Sequence, residues 1–201
     1  MYNFFKRILD IIGGTILFLI SLPIILITAA IVRIETKGSP FFFQTRIGLR
    51  GKPFKIFKLR GMYIDSRERF PELYDYSANT SLDFHFHYEE DPRVTKTGRI
   101  IRKYSIDELP NFFNVMMGDM SLVGPRPEIP DILQKYEQYK EEYISVKPGV
   151  TCSSKITGRD TLTKLETIQQ DLVYIRTRSL KKDIHILFIT FAQVVLKKNV
   201  Y

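Results

Sequence analysis

The sequence predicts an α+β protein that is mostly helical, carries a small β-hairpin or sheet, and begins with a re-entrant membrane helix. Three observations predict this: an uncharged apolar run at 11–32, an alternating strand-turn-strand stretch at 41–59, and helix-like runs punctuated by Pro and Gly over the remainder. With 201 residues, 44% of them hydrophobic, and a net charge of +8, the chain is neither a disulfide scaffold nor collagen-like nor disordered. Its single cysteine, Cys152, excludes an intramolecular disulfide and a multi-cysteine metal site. A cytosol-facing protein fits that composition.

The first element is the membrane segment. Ile11 to Val32 are 22 residues without a charge, 14 of them Ile, Leu, Phe or Val. Those side chains favour insertion by about 4–8 kcal/mol, which neither Pro23 nor the Gly13-Gly14 pair cancels. The run is too long for a signal peptide and ends without a small-x-small cleavage site. Lys6 and Arg7 precede it and Arg33 and Lys37 follow it. The positive-inside rule wants both flanks in the cytoplasm, which one straight span does not deliver. Pro23 removes a helical hydrogen bond and clashes with the preceding turn, so a bend at Ser21 to Pro23 lets the segment enter and leave on one face, with the Ser21 hydroxyl serving a freed backbone group. A plain anchor is the alternative. The chain is thus expected to divide into a re-entrant membrane helix at 1–36 and a cytosolic, membrane-associated domain at 37–201.

Residues 33–69 carry a net charge of +7, a basic block suited to anionic headgroups or phosphates. Within it, 41–59 reads as a hairpin turning at Leu49-Arg50-Gly51-Lys52, and 60–69 as a short helix. Residues 70–92 form a polar loop, whose 70–90 part has a net charge of −5 and is read as an insertion. His85 and His87 lie there, and an alternating edge strand explains them without a metal. Further on, 128–143 is helix-like, Pro148-Gly149 marks a turn, 162–178 is a helix, and 183–198 is a last apolar helix, either interfacial or packed in the core.

The chemistry concentrates at 91–127. Ser105 and Glu108 have capping-box spacing, which places Asp107 and Glu108 at a helix N-terminus where the dipole and free N–H groups favour an anion such as phosphate. Two adjacent carboxylates also make a magnesium site when phosphate oxygens and water complete the shell. Both acids could equally do no more than stabilise the helix start. Arg99, Arg102 and Lys103 precede the pair, and Arg126 follows between Pro125 and Pro127, which stiffen its loop. Basic neighbours are expected to lower the Asp107 pKa and keep it ionised. Beside a membrane segment, this set points to phosphate chemistry at a bilayer.

The run Ser105-Ile106-Asp107-Glu108-Leu109-Pro110-Asn111, then Asn114-Val115 and 118–127 (GDMSLVGPRP), resembles the bacterial sugar transferase family, the monotopic phosphoglycosyl transferases. The likeness extends to Phe43-Gln44, Arg46, Gly48, Phe54-Lys55, Lys58, Arg60, 147–151 (KPGVT), Gly158-Arg159 and Asp183-Ile184, nearly the whole chain, and its size is similar to the minimal members. The resemblance implies transfer of a phosphosugar from a UDP-sugar to polyprenyl (undecaprenyl) phosphate with Mg²⁺, at the cytoplasmic face of the bacterial inner membrane, as the first membrane step of glycan assembly. It makes Asp107 the nucleophile that expels UMP, has Glu108 assist with metal, positioning or proton handling, and puts Lys58, Arg102 and Arg126, in the latter case between Pro125 and Pro127, on phosphates or nucleotide. The re-entrant helix is the family's membrane element. The sequence departs from the family where Leu22 rather than Ser precedes the bend proline, at Gly61, and at 151–155, which reads Thr-Cys-Ser-Ser-Lys. A membrane-anchored scaffold for anionic lipid is the non-enzymatic alternative, and a membrane phosphodiesterase a third. A homodimer stays open, and nucleic acid is not an expected partner, because the basic surface lacks interleaved aromatics.

Overall fold

The computed structural model describes residues 1–75, 82, 91–158 and 161–196. His85, His87 and Arg159 lie outside these. In chain order the elements are helix α1 (Tyr2–Thr36), strands β1 (Phe41–Ile47) and β2 (Pro53–Leu59), helices α2 (Ser66–Arg69), α3 (Lys96–Lys103) and α4 (Asn111–Met117), and strand β3 (Ser121–Val123). Helices α5 (Pro130–Gln134) and α6 (Lys140–Tyr143), strand β4 (Gly149–Thr151), and helices α7 (Ser153–Thr157), α8 (Lys164–Thr177) and α9 (Leu180–Leu196) follow. Two small sheets, an antiparallel β1-β2 hairpin and a parallel β3-β4 pair, sit among the helices. The architecture is mostly helical, as expected.

Helix α1 turns its polar and small residues inward and its apolar ones outward. Lys6, Asp10, Gly14, Ser21, Ile25, Thr28, Ala29 and Val32 are buried, while Ile20 and Ile27 are 68% and 63% exposed. Water would penalise that outer face, and hydrocarbon would not. Both ends of α1 hold the same folded body. Near its start, Lys6 pairs with Asp183 of α9 at 3.0 Å, and Arg7 donates to the carbonyls of Val115 and Met116 at the end of α4. Asp10 accepts from the Ser121 hydroxyl and the Leu122 amide of β3, both at 2.9 Å. Near its end, Ile25, Ala29 and Val32 pack with Leu59 and Ile101, and Glu35 accepts from the Thr97 amide at the start of α3. The helix is continuous through Pro23, and the Ser21 hydroxyl donates to the Phe18 carbonyl at 3.0 Å. The segment is therefore one uninterrupted helix, not two helices joined by a break at Pro23.

The hairpin forms as predicted, with Phe41 opposite Leu59 and Ile47 opposite Pro53. Its turn places Arg50 and Gly51 at positive φ (56° and 77°), which the glycine adopts without strain. Two helices predicted from sequence are shorter. In 60–69 only α2 is helical, because Arg60 donates to the Pro40 carbonyl, Tyr63 donates to the Arg93 carbonyl, and Gly61 accepts from Thr95. The 128–143 run breaks into α5 and α6 around a 3-10 turn that contains Glu137 at φ 45°. Conversely, Pro148-Gly149 leads into β4 rather than a simple turn: Gly149 pairs with Ser121, and Thr151 with Val123. A Cβ on Gly124 would lie 2.3 Å from the Lys147 carbonyl oxygen, so this ladder closes only around a glycine.

The main core joins β2, β3, α4, α5 and α8 through Ile56, Val115, Leu122, Ile132, Tyr136, Ile168 and Leu172. Helix α8 has the capping box that sequence placed elsewhere: Thr163 accepts from the Glu166 amide, and the Glu166 carboxylate accepts from the Thr163 amide. Helix α9 packs one face in the core, where Asp183 and Ile186 are buried, while Phe188 and Phe191 are exposed.

Candidate active site

Asp107 and Glu108 lie on a 3-10 turn (Ile106–Glu108) between α3 and α4, not at the start of a longer helix. Ser105 is in the left-handed region at φ 55°, and its side chain makes no capping hydrogen bond, so the expected capping box is corrected. What fixes the turn is Asn114 on α4. Its Oδ1 accepts from the Phe57 amide at 3.1 Å and its Nδ2 donates to the Lys55 carbonyl at 2.8 Å, tying α4 to β2. Lys58, near the end of β2, thereby reaches the acidic pair: its Nζ donates to Glu108 Oε1 at 2.9 Å and lies 4.0 Å from Asp107 Oδ2.

A second lysine completes the arrangement. Lys155 Nζ, from α7, donates to Glu108 Oε2 at 2.6 Å. Each oxygen of Glu108 therefore has its own ammonium. The two acids respond in opposite directions. Burial acts to raise Glu108, but Lys155 and Lys58 outweigh it and hold its carboxyl well below the usual range. Asp107 moves up, pushed by burial and by Glu108 against the pull of Lys58 and Arg102. The expectation that basic neighbours depress Asp107 is thus reversed, because burial and the neighbouring Glu108 charge outweigh them.

The Gly-Pro-Arg-Pro loop at 124–127 is held at its backbone. The Arg126 amide donates to Asp171 Oδ2 at 3.0 Å and its carbonyl accepts from the Tyr143 hydroxyl at 3.0 Å. The Pro125 carbonyl accepts from the Gly149 amide, and the Pro127 carbonyl accepts from Arg46 Nη1, both at 2.9 Å. The other oxygen of Asp171 accepts from the Ser154 amide at 3.2 Å, so one fully buried carboxylate positions both the Arg126 loop and the helix that bears Lys155.

These elements surround an open cavity lined by Arg46, Lys58, Glu108, Asn111, Arg126 and Lys155, with Pro127 and Cys152 beside them. Asn111 is buried, and its Oδ1 has no hydrogen-bond partner, leaving an acceptor for a ligand's N–H or O–H. Cys152 is no nucleophile here, as burial pushes its thiol up to about 12. Arg102 is outside the cavity: its guanidinium lies 3.8 Å from Asp91, and it acts on Asp107 only through its field. Pro125 lines a separate cleft behind the loop. Of the residues selected from sequence, Lys58, Glu108, Arg126 and Pro127 line the cavity, and Asp107 lies beside it, 4.0 Å from the Lys58 ammonium. Sequence reasoning assigned no role to Lys155, Asn111 or Asp171; Asn111 gave a signal as the end of the Ser105–Asn111 run and Lys155 as part of the altered 151–155 segment, and Asp171 gave none.

Mg²⁺ commonly takes one or two carboxylates together with phosphate oxygens and water. The described residues hold no cluster of three or more His, Cys, Asp or Glu, so a protein-only cage is absent among them. Asp107 and Glu108 fit the two-carboxylate type, with Glu108 held by two lysines and Asp107 approached by one of them at 4.0 Å.

The family model for bacterial sugar transferases matches residues 1–197. A "Galactosyl transferase CpsE" of Streptococcus agalactiae is 40% identical over 192 residues, covering 95% of this chain and 42% of the relative. A "UDP-glucose:undecaprenyl-phosphate glucose-1-phosphate transferase" of Klebsiella pneumoniae is 38% identical over 205 residues, covering 98% and 41%. The chain spans about two fifths of the length of these relatives. An "Uncharacterized sugar transferase EpsL" of Bacillus subtilis, 39% identical over 196 residues, is covered over 89% of its length. From one end of α1 to beyond the last described turn of α9, the chain belongs to the bacterial sugar transferase family.

Proposed function

We propose that this protein is a phosphoglycosyl transferase that moves a phosphosugar from a UDP-sugar to polyprenyl phosphate by a two-step covalent route. In the first step an Asp107 carboxylate oxygen attacks the phosphorus that bears the sugar. The phosphorus-oxygen bond to UMP breaks, and UMP leaves with that electron pair. In the second step a phosphate oxygen of the lipid attacks the same phosphorus, forming the polyprenyl-diphosphate-linked sugar and returning Asp107 as a carboxylate. The observation that carries this reading is a cavity where Glu108 meets Lys58, Lys155 and Arg126, with Asp107 next to it against Lys58, a cationic cradle suited to a diphosphate. The names of the relatives, which specify glucose or galactose carriers and undecaprenyl phosphate, support the substrate class.

Each part of the cavity has a task in that route. Arg126 and Arg46 grip phosphate oxygens, Asn111 accepts from a donor N–H or O–H, and Lys58 orients Asp107 while offsetting charge on the phosphoryl oxygens. Asp107 and Glu108 hold Mg²⁺, which when bound neutralises part of the diphosphate charge. A raised Asp107 pKa makes its carboxylate the more basic and more nucleophilic of the two.

Helix α1 serves as a re-entrant membrane element at the cytoplasmic face of the bacterial inner membrane. Supporting this are its outward apolar face and the attachment of both its ends to one body, by Lys6, Arg7 and Asp10 at one end and by Val32 and Glu35 at the other. A straight span would carry one of those ends across the bilayer. The test is UMP release on incubation with undecaprenyl phosphate and a panel of UDP-sugars. Release with at least one donor, lost in Asp107→Asn, is expected. A scaffold would release none and would tolerate the substitution.

A further inference from the structure

We propose that Lys155 is a built-in counter-cation of Glu108 that competes with the divalent cation for the acidic pair and thereby weakens cation binding in the resting protein. The inference rests on the reading above that Asp107 and Glu108 hold Mg²⁺, and adds a residue that controls it.

The geometry is specific. A carboxylate that shares a metal needs an oxygen with a free lone pair directed at the ion. Glu108 offers Oε1 to Lys58 at 2.9 Å and Oε2 to Lys155 at 2.6 Å, so both oxygens are already engaged by ammonium groups. Lys58 also approaches Asp107, at 4.0 Å, and so belongs to the pair as a whole. Among the described residues, the ion pair of Lys155 is with Glu108. A cation approaching Oε2 has to share that oxygen with the ammonium or displace it, and two like charges within a few ångströms repel strongly in a partly desolvated site.

Lys155 is also held in place, unlike a mobile surface lysine. Its side chain is 12% exposed. Helix α7 is fixed at its start by the Ser154 amide on Asp171 and further along by Gln193, which donates to the Ile156 carbonyl at 3.0 Å. The ammonium is therefore presented to Glu108 by a braced helix. Once displaced, it remains on the cavity wall beside Arg126, where a donor phosphate can receive it. In this arrangement the cation binds weakly to the empty site and well only when an incoming diphosphate supplies both further oxygens and a new partner for Lys155.

The test is a Mn²⁺ titration of the purified, detergent- or nanodisc-held protein without donor, with free Mn²⁺ read by electron paramagnetic resonance. Lys155→Gln is expected to bind Mn²⁺ about tenfold more tightly than the unsubstituted protein, as befits removal of one adjacent positive charge. Lys155→Arg, which keeps the charge, is expected to stay within about twofold of the unsubstituted protein. Thermal unfolding of each variant confirms that the comparison is between folded proteins. Equal Mn²⁺ affinity in Lys155→Gln and the unsubstituted protein overturns the inference and leaves the metal reading standing. Binding that Glu108→Gln leaves unchanged places the cation elsewhere and overturns it as well. Absence of Mn²⁺ binding in every variant overturns the metal reading itself and, with it, the role given to Lys155.

Discussion

Replacing Asp171 with alanine removes a single side chain yet should loosen two walls of the site. Asp171 is fully buried, and its carboxylate accepts from the Arg126 amide, the Ser154 amide and the Tyr143 hydroxyl. Tyr143 keeps a second partner in the Arg126 carbonyl, so Asp171→Ala orphans two backbone N–H groups. At about 1–3 kcal/mol for each unsatisfied buried donor, the loss is about 2–6 kcal/mol. Part of this is returned, because burial pushes Asp171 up and the carboxylate itself is costly to keep there. A net loss of about 2–4 kcal/mol corresponds to a fall in Tm of about 4–16 °C for a chain of this size. Asp171→Asn keeps one acceptor and should lose about half as much. Thermal unfolding in one fixed detergent, followed by circular dichroism, reads both. A fall below about 2 °C in Asp171→Ala would refute the claim that this carboxylate braces the Arg126 loop and α7.

Two further outcomes follow from the same contacts. Lys6→Met leaves Asp183 and Asp10 buried without their ammonium; with the Tyr2 and Tyr174 hydroxyls still donating to Asp183, the expected loss is about 3 kcal/mol, seen as a lower Tm, and an unchanged Tm would contradict the role of that pair in holding α1. For pH, Asp107 must be ionised to attack and its pKa is raised, so the acid limb of kcat/KM should lie above the ordinary aspartate value of about 3.9, and a limb at or below it would contradict the assignment. Glu108 has the opposite sign: its folded-state pKa is depressed, so the stability it contributes is present above the ordinary glutamate range and is lost only as pH falls through the lowered value.

Some parts of this molecule could be read from sequence because their signals are local. The 11–32 run has a bilayer-length apolar pattern, the hairpin has a polar turn between two apolar strands, and α8 has a clear apolar period. Asp107 and Glu108 stood out as adjacent acids among basic residues. The β3-β4 ladder did not, since each strand is three residues long and their pairing spans a loop, two helices and a turn. Asp171 sits within α8 and looks in sequence like any helical surface charge; only folding places it under Arg126 and Ser154. The direction of the Asp107 pKa is not legible in sequence, which shows the basic neighbours but not the burial that outweighs them. The 128–143 run has helical periodicity, but it is interrupted at Glu137, whose φ of 45° separates α5 from α6, while Ile132, Leu133 and Tyr136 join the core.

Intact-mass analysis of the protein incubated with a UDP-sugar donor and no lipid acceptor, quenched to preserve an acyl phosphate, tests the covalent step most directly. The account predicts a species heavier by one sugar phosphate less water, located on Asp107 and missing from Asp107→Asn. UMP release accompanied only by unmodified polypeptide would contradict it.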